Sequence, residues 1–223
     1  MKLVLAVICL AGPVVAQEGP TQFSLPAGCD AYVTMQSVSC EVTHYFVCSN
    51  DPAGNQRSVT LDEQGMTYSG MIDVETQWLE SFHPLSGHSE RLEPSPEEPA
   101  SFSNLLETGK DEYRFSTLSD EVGETRFEGR DILTGRTVTI DGVTLEETDY
   151  DIKAFDAAGN EIWASRGTEY ISRDWGRFLS GFGQTTVNGE TFNRDRRPME
   201  FIFPGEPGFL SARPKHGCGV ALS

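Results

Sequence analysis

The side chains best placed for chemistry are His83 and His88, five residues apart across Pro84, with Glu90 and Glu93 close behind. Imidazole and carboxylate both suit a transition metal, and a loop that folded back would converge them. The run lacks a His-Glu-x-x-His spacing and a third nearby histidine. The expectation is therefore two loop histidines bonded to backbone, with no metal and no cofactor. Ser86-Gly87-His88 puts a serine beside a histidine, but catalytic triads assemble through the fold rather than through adjacency. A metal-dependent or serine hydrolase using His83 and His88 is kept as an alternative. The chain has no Gly-x-Ser-x-Gly elbow and no phosphate-cradling or dinucleotide-binding glycine motif. Asp156, Gly159, Asn160 and Glu161 superficially match a calcium loop. They lack oxygen ligands alternating over about twelve positions, and a hairpin turn explains them. The pairs Glu146/Glu147 and Asp149/Asp151 would do acid–base work only if one member were buried with a raised pKa. Asp149 and Asp151 fall on the expected solvent face, opposite Tyr150 and Ile152.

Aromatic residues are the other candidates. Trp78, Phe82, Trp163, Tyr170, Trp175 and Phe178, with Phe182 beyond them, lie on or near strands in the middle and late chain. A barrel of about eight strands or more can enclose a ligand cavity, and these side chains would line one; core packing is the alternative. Gly176, Gly181 and Gly183 fall in the same stretch, where glycine in a strand marks a bend or a close backbone approach. Arg194, Arg196 and Arg197 are the one basic concentration, suited to an anionic group, to another face of the protein or to solvent.

These residues need a scaffold, and its address is written first. Lys2 precedes an apolar run over residues 3–11, broken by Gly12 and Pro13 and followed by Val14-Val15-Ala16. That is the anatomy of a secretory signal peptide. The run is too short for a spanning helix, which needs about 20 apolar residues. Residues 1–16 are thus expected to leave by cleavage near Ala16, taking Cys9 with them. The mature chain would be periplasmic or secreted, with no transmembrane segment. Over 223 residues the formal net charge is −17, a field that repels nucleic acid and anionic lipid.

Four cysteines remain: Cys29, Cys40, Cys48 and Cys218. An even count in an exported chain implies two disulfides. Residues 37–48 read as one strand, placing Cys40 and Cys48 ~26 Å apart at ~3.3 Å per residue. A disulfide tolerates only ~7 Å between Cα atoms, so Cys218 must bond Cys40 or Cys48, and Cys29 takes the other.

Hairpin signals recur along the chain. Asp51 to Gly54, Asp62 to Gly65 and Asp156 to Gly159 share an Asp-x-x-Gly form suited to bulged hairpins. Asp141-Gly142 and Asn188-Gly189 suit two-residue turns, and Thr134-Gly135 is a weaker signal of the same kind. Between them, apolar residues alternate with polar ones, as in Tyr150, Ile152 and Ala154 or in Met199, Phe201 and Phe203. Residues 17–30 read as a flexible lead and 31–223 as one β-rich domain of roughly 11–14 strands. A Pro-rich insertion over 93–109 carries a short helix near 101–108, capped by Ser101 or Ser103 and ended by Gly109. A second helical turn is expected near 173–178. The fold class is all-β: an antiparallel meander closing as a barrel, half-barrel or sandwich.

That architecture resembles lipocalin-like barrels and the half-barrels of periplasmic lipid carriers, without a lipocalin signature at the first strand. The stretch holding Trp78, His83, Pro84 and His88, and that from Phe201 through Pro204 to Leu210, resemble uncharacterised exported proteins of alphaproteobacteria. The resemblance implies a periplasmic location and brings no activity. The leading expectation is a non-enzymatic carrier of a lipid or other apolar small molecule. An envelope structural or interaction protein without a ligand is the alternative.

Overall fold

The computed structural model describes residues 21–219. The expected signal peptide and its cleavage site lie outside them. The lead opens on Phe23 and Leu25, which pack on the early strands. Strand β1 (Cys29–Ser37) turns into β2 (Glu41–Cys48), followed by β3 (Gln56–Asp62), β4 (Gly65–Ile72), β5 (Trp78–His83) and β6 (His88–Leu92). Helix α1 (Phe102–Thr108) precedes β7 (Lys110–Ser119), β8 (Gly123–Ile140), β9 (Val143–Asp156) and β10 (Glu161–Ser172). Strands β11 (Arg177–Val187), β12 (Glu190–Asp195) and β13 (Pro198–Ile202) complete the regular structure of the described residues.

Among the described residues, all 13 strands form one antiparallel sheet in which β1 to β12 follow in sequence order and β13 joins beyond β1. The chain passes from one edge of the sheet to the other between β12 and β13 through Arg196 and Arg197 alone. So short a link forces the sheet to curl until its edges approach. Arg196 N–H donates to Gly181 O on β11, and Val38 N–H donates to Arg197 O. No ladder joins β12 to β13, so the sheet stays open along that seam. It is a half-barrel or sandwich rather than a closed barrel.

The turn chemistry works as the residues dictate. Asp141 and Gly142 adopt φ of 48° and 78°, and Asn188 and Gly189 adopt 52° and 82°, the twist that matches flanking strands. Three expectations need correction. The single strand over 37–48 is a hairpin: Cys40 takes φ 58°, and Ser37 pairs with Glu41. Thr134-Gly135 makes no hairpin but a bulge inside β8, where the register slips between Leu133 and Thr137. Residues 173–176 form a plain turn rather than a helix. Gly181 sits at an irregularity between β10 and β11. A Cβ there would lie 2.0 Å from Thr168 O, so close backbone approach is what the glycine provides.

Helix α1 starts and stops where expected. Ser101 Oγ accepts from Asn104 N–H, and Gly109 closes the last turn at φ 83°, the arrangement that satisfies otherwise orphaned backbone groups. The helix and its proline loop separate β6 from β7, which share only the Arg91–Leu118 and Leu92–Thr117 pairs.

The disulfides are Cys29–Cys48 and Cys40–Cys218, one of the two pairings left open by geometry. The second pins the tail across β1. Leu210 N–H donates to Thr34 Oγ1, Lys215 N–H to Gln36 Oε1 and Cys40 N–H to His216 O. Thr34, Gln36 and His44 are completely buried; Thr34 and Gln36 satisfy the tail, and Phe23 stacks on the His44 ring at 5.0 Å. The lead read as flexible is thus fastened over residues 21–28, with Phe23 N–H bonded to Leu210 O. Val33, Met35, Tyr45, Leu145, Tyr170, Leu179 and Phe201 form a core that joins the two ends of the sheet. Phe115, Phe127, Ile152 and Ala154 form another across β7 to β9.

Candidate functional site

The curl encloses a cleft of about 980 Å³. Its walls come from strands far apart in the sheet: Met35 on β1, Tyr45 on β2, Tyr68 on β4, Trp78 on β5, Phe127 on β8 and Leu179 on β11. Trp78 meets Phe115 and Phe127 edge-on at 5.6 and 5.3 Å and remains 43% exposed. Of the six aromatics named from sequence, Trp78, Trp163 and Phe178 line this cleft. Phe82 points elsewhere and lines a second groove of about 770 Å³ with Phe23, Phe46 and Met66. Tyr170 is buried in the core that joins the sheet ends. Trp175 packs on that core, its ring 5.4 Å from Phe201. These three have packing roles or another surface. Parity along a strand reveals which residues share a face, but not which face the curl turns inward.

The cleft is not purely apolar. Arg177, 6% exposed, is among its lining residues. Its guanidinium lies 3.8 Å over the Tyr45 ring, and Nη1 donates to Tyr32 Oη at 2.9 Å and Gln56 Oε1 at 3.2 Å. These partners are all neutral, and Nε is buried without one. Burial pushes the Tyr45 hydroxyl up to about 12, against a smaller downward pull from Arg177. Sequence reasoning missed Arg177. Its signal was a lone charge between Trp175 and Phe178, in a stretch noted for its aromatics and glycines.

Glu169 also faces the cleft. Burial, and then the neighbouring Asp131, hold its carboxyl well above the usual range. Asp131 is raised to about 7 by burial and by Asp111, its direct cross-strand partner. By contrast, three of the four carboxylates considered in pairs from sequence are tied up or open to solvent. Glu146 and Glu147 pair with Arg173 and Arg136, and Asp149 is exposed. Arg196 pairs with Glu41 at 3.0 Å, and Arg197 with Asp195 at 2.7 Å; Arg194 and Arg196 reach the cleft wall.

His83 and His88 end β5 and begin β6, directly opposite each other. Their rings stack at 4.6 Å. Glu90, two residues along β6, lies on the same face, its carboxylate 3.7 Å from His83 Nε2 and 3.9 Å from His88 Nε2. The His83 imidazole beside it is the main cause holding the Glu90 carboxyl below its ordinary range. The histidines read from sequence as loop residues bonded to backbone thus converge on a carboxylate, and all three line the cleft. Glu93 is not with them: it accepts from Ser116 N–H. Ser86 Oγ bonds His88 Nδ1 at 2.8 Å, while the Glu90 carboxylate is too far from that ring for the base-to-orienter hydrogen bond of a triad.

Compared with known proteins, the chain matches no family model, no curated protein and no solved structure.

Proposed function

We propose that this protein is exported to the periplasm and carries an amphipathic small molecule, apolar along its length and anionic at one end. The central cleft carries the reading. Its volume of about 980 Å³ lies at the upper end of ordinary ligand pockets, about 300–1,000 Å³. Trp78, Phe127, Trp163 and Phe178 supply apolar wall, which stabilises a bound chain by about 25 cal/mol per Å² removed from water. Among the described residues, Arg177 supplies a buried positive charge held by neutral groups, and a buried charge is costly until it is paired. Two disulfides belong in an oxidising compartment. Among the described residues, no helix is long and apolar enough to cross a membrane. An envelope protein acting only through its surface has no use for an open interior, so the cleft favours the carrier.

The test is a fluorescence titration of delipidated protein with a long-chain saturated fatty acid and, separately, the alcohol of equal chain length. Trp78 and Trp163 line the cleft and report its occupancy. Saturation at one molecule per chain, with the acid bound more tightly than the alcohol, is the expected result. If neither ligand changes the emission, and neither comigrates with the protein in native mass spectrometry, the carrier reading is wrong.

A further inference from the structure

We propose that His83, His88 and Glu90 form a mononuclear zinc site at the wall of the cleft, with an open coordination position. This inference rests on the hairpin alone and not on the cleft's carrying a ligand.

The three donors come from one short element. Register places His83 opposite His88 and Ser81 opposite Glu90. Side chains of directly paired residues and of i, i+2 neighbours share a sheet face, so three donors converge without long-range assembly. One donor atom from each lies within 4.8 Å of the other two. Tetrahedral zinc with bonds of about 2.0–2.1 Å holds its ligand atoms roughly 3.3–3.4 Å apart. The distances from Glu90 Oε2 to His83 Nε2, 3.7 Å, and from Glu90 Oε1 to His88 Nε2, 3.9 Å, exceed that by about half an ångström, and side-chain rotation brings one oxygen to both nitrogens. The two stacked rings must splay slightly to point both nitrogens at one ion.

The surroundings fit a ligand set. Ser86 Oγ holds His88 Nδ1 at 2.8 Å, occupying that nitrogen and leaving Nε2 for the metal; outer partners of this kind fix the tautomer and orientation of ligating histidines. Ser81 Oγ lies 3.2 Å from Glu90 Oε2 and also 3.2 Å from His83 Nε2; it bridges the two side chains and turns aside when an ion takes the histidine nitrogen. All three ligands are partly exposed, so an ion can enter. Two imidazoles and a carboxylate are the ligands of open zinc sites, where the fourth position holds water or a ligand atom. Cys40, Glu63 and Cys218 also cluster, but both sulfurs are spent in a disulfide and offer no thiolate.

The experiment is isothermal titration of untagged, chelator-stripped protein with zinc chloride, repeated on His88→Ala, Glu90→Gln and Ser86→Ala. The parent is expected to bind one equivalent. His88→Ala and Glu90→Gln should weaken binding by at least about 100-fold, since losing even an outer partner costs about 10–100-fold. Ser86→Ala should weaken it by about 10-fold, which scattered adsorption to surface carboxylates would not reproduce. Circular dichroism checks that each variant is folded. If one fails, His83→Gln replaces it. The proposal is overturned if the parent takes up no stoichiometric zinc, or if the ligand variants bind it as the parent does. Neither result bears on fatty-acid binding, which is read separately.

Discussion

Replacing Asp131 with asparagine should stabilise this protein at neutral and alkaline pH and leave it unchanged in acid. Asp131 is 7% exposed, and one carboxylate oxygen is buried without a hydrogen-bond partner among the described residues. It faces Asp111 directly across β7 and β8, and like charges so placed repel. Burial first, then Asp111, raise its pKa from 3.8 to about 7. A raised carboxyl pKa means that the folded state binds a proton the unfolded chain has already released. Its contribution is therefore fully present below about pH 4 and is lost as pH rises toward 7. A shift of about 3 units at about 1.4 kcal/mol each gives about 4 kcal/mol. Sharing of the proton with Glu169, whose pKa Asp131 also raises, lowers the expected gain to roughly 2–4 kcal/mol. The asparagine amide can donate toward Asp111, whose oxygens already accept from Ser101 N–H and Asn104 Nδ2 and have lone pairs to spare. Urea unfolding followed by tryptophan emission, extrapolated to water at each pH, reads the difference between variant and parent. That difference should be near zero at pH 4, open between pH 4 and 7, and level off by pH 8. A difference of constant size across the range, or a variant less stable at pH 8, would refute the argument.

His44 should work in the opposite direction. Burial lowers its pKa from 6.5 to about 4, against a smaller upward pull from the Ser211 backbone. Its stability is present above pH 6.5 and is lost as pH falls toward 4, by about 3 kcal/mol; His44→Gln should lack that loss in the same urea series. Because the two effects oppose each other between pH 4 and 6.5, the parent's own profile should be flatter than that of either variant. Removing the Cys40–Cys218 bond, with a sequence separation of 178, should cost about 5 kcal/mol on loop entropy. Removing Cys29–Cys48, separation 19, should cost about 3 kcal/mol, and thermal unfolding of the paired Cys→Ser variants would rank them. Gly181→Ala drives a methyl into Thr168 O and Glu169 Cα and should cost about 2–3 kcal/mol, read as a lower urea midpoint without loss of the disulfides.

Much of the scaffold was legible because it rests on local chemistry. Asp-Gly and Asn-Gly fix two-residue turns through their backbone preferences, and both lie at hairpins. Ser101 and Gly109 bound helix α1 as capping residues do. The exclusion of a Cys40–Cys48 bond survived the misread strand, since β2 still extends over Glu41–Cys48. The turn at 38–40 escaped notice because it contains no glycine, proline or asparagine, and Val38 and Cys40 continue the alternation of the strands around it. The histidine site was half legible. Once Pro84 to Gly87 is read as a closed turn, with Gly87 at φ 70°, pairing His83 with His88 and Ser81 with Glu90 follows from counting. The Asp111–Asp131 pair had no such route, because its register depends on two strands joined by a turn ten residues from either partner.

The charges that sequence reasoning could not place explain why the curled sheet keeps a cleft. A half-barrel lined only by Trp78, Phe127, Trp163, Phe178 and Leu179 would gain by collapsing on itself, since protein interiors pack to the density of organic crystals. Arg177, Glu169 and Glu90 stand on the same walls. Closing the walls would strip hydration from the partly exposed Glu90 and shut the already buried Arg177 away from any compensating group, and burying an unpaired charge costs more than several methylenes return. The opposing walls are also fixed from outside. The two-residue link between β12 and β13 sets one end of the sheet against the other, and the tail bonded to Thr34, Gln36 and Cys40 holds β1 in place. An open, mixed-polarity interior therefore follows from where a few charges sit on a rigid curl, and occupants that fit it must bring apolar length and compensating polar groups together.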